Sequence, residues 1–178
     1  MATQRRRSAA ADWEVTSGSV DETQALGERL GRLLRPGDVL ALTGELGSGK
    51  TTLIQGIAPG LGVDPGMVKS PTFVLMREYL GTTPLIHVDG YRLEGNAAGW
   101  FDVDLLFSPH KVTVVEWAER FGLLMPGDAL EVRMSHVTTN RRRIALRADS
   151  PRGRAVIEAL RAQPATAAVP KGDDDPRD

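Results

Sequence analysis

Residues Gly44-Glu-Leu-Gly-Ser-Gly-Lys-Thr51 satisfy the phosphate-binding pattern G-x-x-x-x-G-K-S/T at every fixed position. The chemistry follows from the residue types. Glycines at 44, 47 and 49 free the backbone to curl so that successive N–H groups point inward as an anion nest. A helix starting at the lysine adds the positive end of its dipole. Lys50 would reach the outer phosphates and act on the reaction, and Thr51 would offer its hydroxyl to a magnesium ion. The nucleotide contacts expected here are Gly44, Glu45, Leu46, Gly47, Ser48, Gly49, Lys50, Thr51 and Thr52. Hydrolysis also needs a carboxylate for the metal's shell and a group that places water, ordinarily at the carboxyl end of a strand beside the loop. Asp89, closing Leu85-Ile-His-Val-Asp, and Glu116, closing Val112-Thr-Val-Val-Glu, both qualify. We read Glu116 as the metal or water carboxylate and Asp89 as its partner, an order that residue types alone do not fix. The metal set is then Thr51, Glu116 and Asp89.

Further groups stand near these. In Ser70-Pro71-Thr72 the proline biases Ser70 to extended backbone. Such a segment is more often a simple turn, but here Thr72 could contact a γ-phosphate or magnesium as a switch. Arg92 could stabilise phosphate charge or pair with a carboxylate. Tyr91 and Trp117 either wall the pocket or pack. His87 reads as a satisfied buried histidine rather than a metal ligand, since magnesium prefers oxygen. The run Arg141–Arg143 could meet RNA phosphate or be a solvated loop. The lysines, at 50, 69, 111 and 171, do not fall in the Asn/Thr-Lys-x-Asp pattern that reads guanine, so ATP is the expected nucleotide.

The elements that must position these groups are legible as periodicity. Asp38–Thr43 reads as a strand entering the glycine loop. The helix that leaves it, ending near Pro59-Gly60, puts Leu53, Ile54 and Ile57 on one face. A helix over 21–34, capped by Ser19 or Asp21, precedes them. Strands are expected at 12–16, 72–80, 85–88 and 112–115. A late hairpin is expected from 130–136 and 142–147, and a closing helix near 152–162. This gives an α/β fold: a single phosphate-loop NTPase domain over 11–162, with a mainly parallel central sheet flanked by helices. Residues 1–10 read as a disordered arm and 163–178 as a disordered acidic tail. The 178 residues suffice for one core. The chain has no cysteine, which removes disulfide, thiolate and redox chemistry and suits the cytoplasm. A net charge of −1 argues against a general polyanion binder. No apolar stretch approaches the roughly 20 residues of a spanning helix, and Arg5–Arg7 leads into no signal-peptide core.

Taken in order, Gly44–Thr52, Val68-Lys-Ser-Pro-Thr-Phe73, His87-Val-Asp-Gly-Tyr-Arg-Leu93 and Val115-Glu-Trp117 resemble the TsaE (YjeE-type) ATPases over about residues 15 to 150. The resemblance implies a bacterial ATPase accessory to N6-threonylcarbamoylation of adenosine 37 in tRNAs that read codons beginning with A. It implies docking on a TsaB–TsaD heterodimer, in which TsaD transfers the group and ATP hydrolysis supports repeated turnover. Contact with tRNA would be indirect or transient, and neither DNA nor membrane is an implied partner. Lys50 and Thr51 match the family's phosphate loop, Ser70 and Thr72 its switch-like segment, and Asp89 and Glu116 its acids. Trp117 matches a tryptophan beside the adenine or phosphate pocket. Glu94–Asp104 departs from the acidic, helical segment of many relatives, being richer in glycine and aromatics. Two alternatives stay open beside the ATPase: a small-molecule kinase of the phosphate-loop class, and a binding module in which slow hydrolysis resets a switch.

Overall fold

Apolar β-branched runs need cover on both faces, and here they form the centre of a sheet. The computed structural model describes residues 12–93 and 99–164. The expected arm at 1–10 lies outside the described residues, as does the expected tail from 165 onward. So does 94–98 of the segment that departs from the family. Among the described residues seven strands, β1 (Trp13–Ser17), β2 (Val39–Thr43), β3 (Met76–Tyr79), β4 (Leu85–Asp89), β5 (Val112–Glu116), β6 (Leu130–His136) and β7 (Arg142–Arg147), lie in the order β1-β7-β6-β2-β5-β4-β3. The inner strands β6, β2, β5 and β4 run parallel. The antiparallel pairs lie toward the edges, with β7 and β1 on one side and β3 on the other. The α-helices among the described residues are α1 (Val20–Gly31), α2 (Lys50–Gly60), the short α3 (Val103–Leu106) and α4 (Pro151–Ala162).

Alternation sorts the side chains of the central strands β2, β4 and β5 between two cores. Leu40, Leu42, Leu85, Val112, Val114, Val132 and Ile144 face α1, α2 and α4. Ala41, Ile86, Val88 and Val115 face a second cluster built from Leu93, Leu106, Phe121 and the loops around them. Asp89 and Glu116 are opposite one another in the parallel register and continue the α2-facing sides of β4 and β5. The strand order thus delivers both acids to the end of the sheet where β2 opens into the glycine loop.

α2, which the loop feeds, is held against α1 by direct backbone contact. A Cβ on Gly56 would stand 2.3 Å from the carbonyl oxygen of Gln24, and one on Gly27 2.5 Å from that of Leu53. Gly31 meets Ile57 and Gly60 in the same way. Glycines spaced by four on both helices therefore set how close α2 lies to α1. Ser19 is the α1 cap, accepting from Glu22 N, while the Glu22 carboxylate accepts from Gly18 N.

One expected element is shorter than its pattern. The strand expected over 72–80 begins at Met76, because 72–75 form a turn. In it Val74 N and Leu75 N both bond to Pro71 O, and Leu75 has φ 65°. α1 likewise ends at Gly31, not at 34. Among the described residues no helix is long and apolar enough to cross a membrane.

Candidate functional site

The loop after β2 takes the conformation its glycines permit. Gly44, Gly47 and Gly49 have φ of 145°, 75° and 98°, values that side-chain-bearing residues rarely adopt. Gly44 is also sterically required: its Cβ would lie 2.3 Å from Met134 O on β6 and 2.8 Å from Ser48 Oγ. Gly49 caps α2 without a side-chain bond, so the first N–H groups of that helix remain open donors for an anion.

Lys50 is only 4% exposed. Its Nζ donates to Gly44 O at 2.8 Å and Glu45 O at 2.9 Å, and lies 4.3 Å from the Trp117 ring centroid. Burial lowers its pKa from 10.5, while Glu116, Glu119 and Asp89 oppose that shift. The ammonium is therefore held in place by carbonyls and a ring face before any phosphate arrives, at a desolvation cost.

Glu116 and Asp89, 3% and 2% exposed, have different partners. Thr51 Oγ1 donates to Glu116 Oε1 at 2.8 Å, which joins α2 to the end of β5. Asp89 Oδ2 accepts from Ser70 Oγ at 2.8 Å and from Thr72 Oγ1, and Oδ1 accepts from Tyr91 N. The turn that shortens β3 therefore brings the Ser70–Thr72 hydroxyls onto the acid. These groups line a cleft of about 350 Å³ together with Leu46, Gly47, Gly49, Thr52, Tyr91 and Trp117. Trp117 has φ 56° immediately after Glu116, and its ring lies 5.2 Å from that of Tyr91. Among the described residues no three or more His, Cys, Asp and Glu side chains converge as a metal cage. Two carboxylates, hydroxyls and an open phosphate nest are the donor set a hard dication takes when substrate phosphates complete its shell.

Two other residues sit differently from expectation. Arg92 is exposed, stacks 4.3 Å over Phe73 and does not line the cleft. His87 is fully buried as expected, but only half satisfied: Nε2 contacts Glu116 Oε1 at 2.8 Å, while Nδ1 has no partner. Sequence reasoning also missed a second cleft, of about 290 Å³, across Gly47, Gly49 and Thr52 from the first. Gly18, Ser19, Val20, Thr23, Thr139, Asn140 and Arg142 complete its wall. The signal available was the arginine run at the hairpin tip. Arg142 Nη1 donates to the carbonyls of Thr138 and Thr139 and so organises that tip beside the loop.

A glycine loop between a central parallel strand and a helix, with acids closing the next two strands on one side, defines a protein of the phosphate-loop NTPase fold. A family model described as threonylcarbamoyl adenosine biosynthesis protein TsaE matches residues 17–144. The chain is 50% identical over 113 residues to the tRNA threonylcarbamoyladenosine biosynthesis protein TsaE of Streptomyces coelicolor, covering 61% of this chain and 76% of the relative. To the protein of the same name from Bacillus subtilis it is 36% identical over 141 residues, covering 79% and 88%. To that of Mycobacterium tuberculosis it is 41% identical over 144 residues, covering 74% and 83%. Its fold matches the crystal structure of Bacillus subtilis YdiB with a TM-score of 0.70 at 31% identity, over 84% of this chain and 93% of that one. The chain belongs to the TsaE family, which serves tRNA threonylcarbamoyladenosine biosynthesis.

Proposed function

We propose that this protein is the ATPase subunit of a tRNA-modifying complex, binding and hydrolysing Mg–ATP in support of N6-threonylcarbamoylation of adenosine 37. The observation that carries the reading is the 2.8 Å hydrogen bond from Thr51 to Glu116, which ties the phosphate loop's hydroxyl to a strand-end carboxylate. The N–H groups of the loop and of the start of α2 bind the phosphate chain, and Lys50 neutralises the outer oxygens. Thr51 and Glu116 would hold a magnesium ion, whose chemistry is to offset charge on the transferred phosphoryl group. Asp89 accepts a proton-bearing group at Oδ2. Ser70 and Thr72 occupy that oxygen now, and once they turn to the phosphate Asp89 can orient water. The nucleoside is assigned to the second cleft, since the loop borders both clefts and the acids lie in only one of them.

Family membership supports a complex with a TsaB–TsaD-type heterodimer in the cytoplasm, with tRNA contacted indirectly or transiently. Leu46 at the cleft and Phe73 beside Thr72 are 72% and 82% exposed, apolar surface of the kind a partner covers. The test is ATP hydrolysis by the purified chain with magnesium, alone and with TsaB–TsaD counterparts plus unmodified tRNA. Slow hydrolysis that rises in the mixture and is lost in Lys50→Ala supports the proposal. No response to those partners, with phosphate passed to a small acceptor instead, would make the protein a kinase.

A further inference from the structure

His87 occupies a position where an aliphatic side chain would cost less. It is 0% exposed on the α2-facing side of β4, between Leu85 and Asp89. Its Nδ1 is the one buried side-chain polar atom without a hydrogen bond among the described residues, a condition that costs stability. The other nitrogen supplies the reason for an imidazole here. Nε2 lies 2.8 Å from Glu116 Oε1, the same oxygen that accepts from Thr51 at 2.8 Å. A carboxylate that holds a cation only accepts, so in the role proposed next Nε2 is the donor.

We propose that His87 is a positioning residue for nucleotide hydrolysis. By donating to Oε1 of Glu116 it fixes the rotation of that carboxylate. Oε1 stays with Thr51, and Oε2, which takes no hydrogen bond from a described residue, is left for the metal's shell. This inference rests on the Mg–ATPase reading. Buried hydrogen-bond partners of ligating groups characteristically tune metal affinity in this way.

The test compares His87→Leu, which removes the donor, with His87→Gln, whose amide N–H can reach the place of Nε2. Three quantities are read: affinity for a fluorescent ADP analogue with and without magnesium, kcat for ATP, and melting temperature. His87→Leu is expected to raise the magnesium concentration for half-saturation about 10- to 100-fold and to lower kcat comparably. Its magnesium-free nucleotide affinity should stay within about twofold, and His87→Gln should recover most of the loss. In a Glu116→Gln background, His87→Leu should add less than about twofold, because its effect passes through that carboxylate. A leucine variant that only melts earlier, with wild-type magnesium half-saturation and kcat, overturns the proposal, as does an undiminished effect in the Glu116→Gln background. If His87→Leu does not fold, His87→Gln and His87→Asn decide: the shorter amide should lose magnesium affinity and the longer one keep it, and equal behaviour overturns the idea. A wild type that binds nucleotide with magnesium but does not hydrolyse it refutes the ATPase reading alone, while the magnesium titration still judges His87.

Discussion

Replacing Lys50 by methionine keeps an unbranched side chain and removes the charge. In the free protein two effects oppose each other. The ammonium's desolvation cost disappears, while the Gly44 and Glu45 carbonyls lose donors at 2.8 and 2.9 Å, each loss worth about 1–3 kcal/mol. Folding stability should therefore fall by less than the roughly 2–6 kcal/mol that the two losses alone would sum to. Nucleotide binding has no such offset. Hydrogen bonds from a charged group contribute about 1.5–3 kcal/mol each, so losing the one N–H that the two carbonyls leave for phosphate weakens Kd by roughly tenfold to a hundredfold. Titration with a fluorescent ATP analogue reads the affinity, and thermal melting the stability. The lowered pKa of Lys50 adds a pH dependence. Bound phosphate favours the protonated lysine, so wild-type affinity should be flat below the lowered pKa and fall as pH rises through it. In the free protein the folded state holds fewer protons than the unfolded one between that lowered value and 10.5, so stability rises with pH across this window. Both dependences should vanish in Lys50→Met. A methionine variant that binds within about threefold of wild type, or keeps the alkaline fall in affinity, would refute this account of the lysine.

Three further outcomes follow from the geometry. Asp89→Ala and Glu116→Ala should leave nucleotide affinity within a few-fold and slow hydrolysis by about 10²- to 10⁴-fold; unchanged hydrolysis in both would remove the acids from the chemistry. Arg142→Ala should weaken ATP binding about tenfold without moving the magnesium half-saturation, and an unaltered Kd would place the nucleoside elsewhere. Gly56→Ala should cost about 1–3 kcal/mol in urea unfolding, because its Cβ meets Gln24 backbone at 2.3 Å, whereas Gly127→Ala, with nothing within 4 Å, should be silent. Equal melting of the two variants would contradict the glycine contact between α1 and α2.

The phosphate loop was legible because its requirement is local: glycine conformation, lysine and threonine fall within one turn of chain, and the strand before and helix after carry their own periodicities. The helices at 20–31, 50–60 and 151–162 were legible for the same reason. The strand expected at 72–80 failed at its start because alternation over Phe73–Leu75 does not reveal that Leu75 turns to positive φ to bring Thr72 onto Asp89. What stayed hidden depends on register between distant strands. His87 and Glu116 meet across 29 residues of sequence, Thr51 and Glu116 across 65, and Arg142 reaches the loop only because β6 pairs beside β2. The glycines of α1 and α2 read singly as weak helix formers, and only the packed pair shows why a side chain there would not fit.

The most direct test of the central claim is to count threonylcarbamoyladenosine formed on tRNA per TsaD counterpart. The assay holds the TsaB–TsaD pair, ATP, magnesium and the threonylcarbamoyl donor, with either this protein or its Lys50→Met variant. Many products per TsaD with the wild type, and about one or fewer with the variant, is the result predicted. Equal yields with the wild type, the variant and no added protein would contradict it.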